Sequence, residues 1–84
     1  MNQINISSLS ISSLAQLIRK DWKKVYFGAV PYLDAMSALE SISDNYGCDR
    51  GSEIVNYFLC NATTWRGDVA REIKKELNKR VKNS

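Results

Sequence analysis

The chain has no histidine, a single proline, four glycines and two cysteines. Each shortage removes a class of chemistry. Without histidine there is no imidazole to act as a general base near neutral pH, and the commonest metal ligand is missing. Two thiols, Cys48 and Cys60, do not make a structural zinc site, which takes four ligands. No run approaches the roughly 20 apolar residues that cross a bilayer, so no membrane association is expected. The opening "MNQINISSLSISSL" has neither a basic start nor an unbroken apolar core, and it does not read as an export signal. That predicts a cytoplasmic setting and two free thiols, Cys60 inside a helix core and Cys48 in a loop. Glycine-rich phosphate loops and nucleophile–base pairs are also missing, so neither an enzyme nor a cofactor is expected.

What is present describes one small domain. The 84 residues are 44% hydrophobic and 25% charged, an ordinary globular composition. A chain of this length buries roughly 60–65% of its unfolded surface, enough for one core. The net charge of +3 is unevenly spread. Residues 19 to 24 hold four bases against one acid, residues 25 to 63 one base against five acids, and residues from Trp65 onward seven bases against three acids. The chain is basic at both ends and acidic in its middle.

Hydrophobic periodicity predicts an all-α fold, a compact four-helix domain over residues 12–84 preceded by a flexible tail over residues 1–11. The helices are expected near 12–26, 31–43, 51–61 and 64–81. Ser12 or Ser13 would cap the first, whose stripe is Leu14, Leu17, Ile18, Trp22 and Val25. Gly28 permits a turn and Pro31 suits the first turn of the second helix, with Tyr32, Ala35, Met36, Leu39 and Ile42 on one side. "SDNYGCDRGS" reads as the clearest loop. The third helix turns Ile54, Val55, Phe58, Leu59 and Ala62 inward. In the fourth, Trp65, Val69, Ile73, Leu77 and Val81 step by four residues toward the core.

The stretch "NATTWRGDV", residues 61 to 69, contains a glycosylation sequon and a cell-adhesion tripeptide. Neither suits a chain without an export signal. Thr63 or Thr64 is expected to cap the last helix, with Asp68 at the positive end of its dipole. Gly67 then falls inside the first turn, where glycine costs up to about 1 kcal/mol relative to alanine. Gly67→Ala should therefore stabilise that turn, unless another backbone or a partner comes close.

Two binding readings compete. The third and fourth helices have helix-turn-helix proportions, and the fourth is basic, which makes Arg66, Arg71, Lys74 and Lys75 candidate nucleic-acid contacts. The aromatic content points to protein binding instead. Trp22, Phe58 and Trp65 lie on apolar stripes and belong to the core, whereas Tyr26, Phe27 and Tyr46 are hard to bury. Exposed rings beside charge are the anchors that protein interfaces use. Tyr26, Phe27, Tyr32, Arg66 and Gly67 form the candidate partner-binding set.

The segments "VYFGAVPYLDAM" and "YFLCNATTWRG", within residues 15 to 80, resemble a group of short proteins encoded by bacterial phages, prophages and plasmids. The resemblance implies a small accessory protein of a mobile element in a bacterial host, and it implies no activity. With it, the chain reads as a non-enzymatic protein-binding module. Its expected action is steric occlusion of a host defence complex, in the manner of an anti-CRISPR protein against a CRISPR–Cas effector. The alternatives are a helix-turn-helix-like DNA-binding regulator and a homodimeric accessory protein.

Overall fold

In the computed structural model, which describes residues 6–83, the first helix starts where a serine side chain can close it. Ser10 Oγ accepts from the Ser13 amide at 3.1 Å, and α1 runs Ile11–Asp21. The expected caps, Ser12 and Ser13, therefore lie inside the helix, and Ile11 is fully buried. Of the tail expected over residues 1–11, the first five lie outside the described residues. The rest is built into the fold: Ile6–Ser8 forms a short 3-10 turn, and Ile6 and Leu9 pack against the core. Arg80 holds this arm through its Nη2, which donates to the carbonyls of Ile6 at 2.9 Å and Ser7 at 3.2 Å.

Helix α1 stops at Asp21, short of the expected Tyr26. Trp22 takes extended backbone angles and turns its indole onto two other rings. It stacks on Trp65 at 5.8 Å, the planes 14° apart, and meets Phe58 edge-on at 6.2 Å. Phe58 also meets Trp65 at 6.3 Å. Three chain-distant segments thus join in one aromatic cluster whose geometry favours attraction between ring faces and edges.

A second 3-10 turn, Phe27–Ala29, leads into α2, Val30–Met36, with Pro31 in its first turn. This helix was expected to reach residue 43. It ends early because its continuation is used elsewhere: the carbonyls of Leu39 and Glu40 accept from Ser12 N at 2.7 Å and Ile11 N at 3.0 Å. Those are first-turn amides of α1 that have no partner within their own helix. Leu33, Ala35, Met36 and Leu39 fill the core.

The expected loop over residues 43–52 contains a two-stranded hairpin, β1 Asn45–Tyr46 against β2 Asp49–Arg50, antiparallel. Gly47 turns it with φ +65°. Helix α3, Gly51–Cys60, follows directly. Its start is pinned by Gly51 N to Asp44 O at 2.7 Å and Ser52 N to Ile42 O at 3.0 Å. A Cβ on Gly51 would lie 2.9 Å from the Ile42 carbonyl oxygen, so only glycine fits this approach. Ile54, Val55 and Phe58 are buried as expected, but Cys60 is exposed, as is Cys48. The prediction of a core cysteine fails because Cys60 falls on the solvent side of α3, between Leu59 and Asn61.

Helix α4, Asp68–Lys82, starts four residues later than expected. Thr63 and Thr64 are exposed, and neither side chain caps α4. The N-cap is Gly67, at φ +114° and ψ 180°, a backbone region that is essentially glycine's alone. No atom lies within 4 Å of a Cβ placed there. Gly67 is needed for its backbone angles, not for a close approach, and the expected gain from Gly67→Ala is reversed. Of the expected stripe, Trp65, Ile73 and Leu77 lie in the core and Val81 packs against it. Ala70, Ile73 and Leu77 are buried, whereas Val69 is 44% exposed. The radius of gyration, 11.8 Å, matches the roughly 12 Å that scaling gives for a chain of this length.

Candidate functional site: an aromatic patch beside the second helix

The 3-10 turn before α2 holds two rings out of the core. Phe27 is 79% exposed and Tyr26 44%, and their centroids lie 4.8 Å apart. Burying a phenylalanine is worth about 1.5–3 kcal/mol, which this position forgoes. The turn has little freedom to fold the rings away. A Cβ at Gly28 would lie 2.5 Å from Tyr26 Cε2 and 3.0 Å from Asn61 Oδ1, so the Tyr26 ring lies across the glycine, against the end of α3.

From there the patch continues over α3. Asn61 Nδ2 donates to the Tyr57 carbonyl at 2.8 Å, and the Tyr57 ring lies 5.4 Å from that of Tyr32. Tyr57 is 48% exposed, and Tyr32 is half-buried against the core. Val30, one turn after Phe27, adds apolar surface at the start of α2. Of the expected set, Tyr26, Phe27 and Tyr32 thus fall on neighbouring segments. Val30, Tyr57 and Asn61 were not singled out. The signal for Tyr57 was its place on the flank of α3, four residues before Asn61.

Arg66 and Gly67 belong to a different feature. With Trp65, Ala70, Arg71 and Lys74 they line a shallow groove of about 300 Å³ beside the start of α4. Lys74 Nζ donates to the Trp65 carbonyl at 2.6 Å and sits 5.7 Å from the centre of that indole. Burial, with the neighbouring Arg66 guanidinium, holds its pKa below the ordinary lysine value, since both disfavour the charged form. Arg71 pairs with Asp68 at 3.0 Å on the surface. The four candidate nucleic-acid contacts are therefore unequal: Arg66 and Lys75 are exposed, Lys74 turns inward and Arg71 is paired with Asp68. Helices α3 and α4 are separated by residues 61 to 67, longer than the usual 3–4-residue turn of a helix-turn-helix, and Asp68 and Glu72 occupy the leading end of α4.

Elsewhere the polar groups are structural. Arg19 pairs with Asp34 across α1 and α2. Among the described residues no group of three or more His, Cys, Asp or Glu side chains is placed to hold a metal ion, and no helix is long and apolar enough to cross a membrane. No family model, no curated protein and no solved structure matches the chain.

Proposed function

We propose that the chain is a non-enzymatic protein-binding module that docks its partner on the patch formed by Tyr26, Phe27, Val30 and Tyr57. The observation that carries this reading is the Tyr26–Phe27 pair, held outward on a tight turn with Phe27 79% exposed. Rigid aromatic side chains lose little entropy on binding and dominate the energetics of interfaces. The patch is also uncharged, as the centre of an interface tends to be. On the resemblance to mobile-element proteins, the partner is a complex of the bacterial host, defence effectors first, blocked by occlusion. The DNA-binding alternative draws less support, because α4 would lead into a groove with Asp68 and Glu72.

The test is affinity capture from host lysate with the wild-type chain, Phe27→Ala, Gly28→Ala and the surface control Lys79→Ala. Phe27→Ala removes the most exposed anchor, and Gly28→Ala displaces the Tyr26 ring. Both should lose a partner that wild type and Lys79→Ala retain at micromolar concentration. Equal capture by all four, or none by the wild type, would sink the reading.

A further inference from the structure

A second surface lies on the side formed by α1 and α4. There the two helices and the N-terminal arm enclose an open cleft of about 510 Å³. Its apolar lining is Ile6, Leu17, Val69 and Ile73, and its polar lining is Lys20, Asp21, Asp68 and Glu72. Val69 is the unusual member. It is a β-branched apolar residue on an otherwise charged helix face, and it is 44% exposed at the cleft. Val69 extends the apolar floor of the cleft to solvent, and charged side chains border it.

We infer that this cleft receives a basic amphipathic helix. Two features select that occupant. First, both long walls are helices, whose backbone groups bond internally, so there is no strand edge to pair with an extended peptide. A groove between two helices accepts the apolar stripe of a third. Second, the rim carries three carboxylates against one ammonium. Asp68 and Glu72 stand one turn apart on α4 and Asp21 stands at the end of α1, so acid borders the apolar floor on both sides. Asp21 already accepts from Trp65 and Asp68 from Arg71, which leaves Glu72 as the carboxylate with the most freedom to meet a new cation. Lysine or arginine flanking an apolar stripe complements this pattern, and an acidic helix meets repulsion. The surface is independent of the aromatic patch and needs none of its residues.

The probe is a fluorescent 18-residue helical peptide with leucines at i, i+3 and i+7 and lysines on the flanking positions. A second peptide replaces the lysines with glutamates, and a third scrambles the leucine spacing. Anisotropy titrations against the full chain should show the basic peptide binding at least about tenfold more tightly than either control. Glu72→Lys should weaken that binding roughly tenfold and improve that of the glutamate peptide. Val69→Glu, with folding checked by circular dichroism, should abolish it. Equal binding of all three peptides, or no effect of Glu72→Lys, would overturn the inference. So would a wild-type dimer in light scattering that Val69→Glu dissolves, which would assign the cleft to a second copy. Tighter basic-peptide binding in the Ile4→Ser chain would assign it to the chain's own first residues and equally overturn the inference.

Discussion

The indole Nε1 of Trp65 donates to the carboxylate of Asp21 at 2.8 Å, joining residues 44 positions apart. Trp65 is 2% exposed, so the only polar atom of its side chain depends on a carboxylate at the very end of α1. Asp21→Ala should therefore destabilise the fold by about 1–3 kcal/mol, the cost of leaving a buried donor without an acceptor. Asp21→Asn keeps an oxygen in place and should lose less. Urea unfolding of the three chains measures this, and an unchanged midpoint for Asp21→Ala would show that water replaces the carboxylate.

Gly67→Ala should lower stability by about 1–3 kcal/mol, because alanine at φ +114° and ψ 180° is strained although nothing crowds it. For a domain of this size, 1 kcal/mol moves the melting temperature by about 4–8 °C. A melting temperature equal to or above that of the wild type would contradict the backbone angles.

Lys74 makes stability depend on pH in a definite direction. Unfolded, its ammonium releases its proton near the ordinary value of 10.5; folded, burial and Arg66 make it release earlier. Between those two points the unfolded chain binds more protons, so stability from this group rises with pH. Below the window the charged ammonium is disfavoured in the fold, and above it that cost is gone. The difference in urea midpoint between wild type and Lys74→Gln, followed from pH 8 to 10.5, should rise with pH. Arg66→Ala should lessen the rise without removing it, since burial is the larger cause, and a falling difference would refute the assignment.

Arg80 should govern the N-terminal arm. Its guanidinium reaches Glu76 at 2.7 Å through Nε and two arm carbonyls through Nη2, a fork that lysine cannot reproduce. The pair is 18% and 11% exposed, so solvent screens it less than a surface pair. Arg80→Ala should speed hydrogen exchange at the Leu9 amide, which bonds to Ile6 O, by roughly tenfold, and Arg80→Lys should rescue little of that. Unchanged exchange would mean that packing of Ile6 and Leu9 alone holds the arm.

The four-helix order and most of the core were legible because spacing survives small errors in helix limits. Ile54, Val55 and Phe58 are buried wherever α3 is taken to start. The helix ends were illegible where a distant group decides them. Nothing local says that Leu39 and Glu40 turn their carbonyls to α1, or that Trp22 leaves its helix to reach Trp65. The start of α4 was misplaced because two threonines look like caps, while the residue that opens the helix is a glycine with positive φ. Val69, in the first turn of the helix, is the one member of the expected stripe that lies outside the core, while Ile73 and Leu77 remain in it. Of the candidate site, Tyr26 and Phe27 could be read as rings too many to bury. Their junction with Tyr57 through Asn61 could not, since it depends on how the first 3-10 turn after α1 meets α3.

The chain's only two tryptophans are the pair stacked at 5.8 Å with their planes 14° apart. Two indole transitions held so close couple to one another, and they do so only while α1, α3 and the segment before α4 are assembled. The tryptophan bands at the long-wavelength edge of the near-ultraviolet dichroism therefore read this one junction, while the tyrosine and phenylalanine pairs contribute at shorter wavelengths. Local opening of the hairpin, which carries neither ring, would leave that signal intact, whereas separation of α1 from Trp65 would erase it. The molecule carries an optical gauge for the step that closes its core, with no label added.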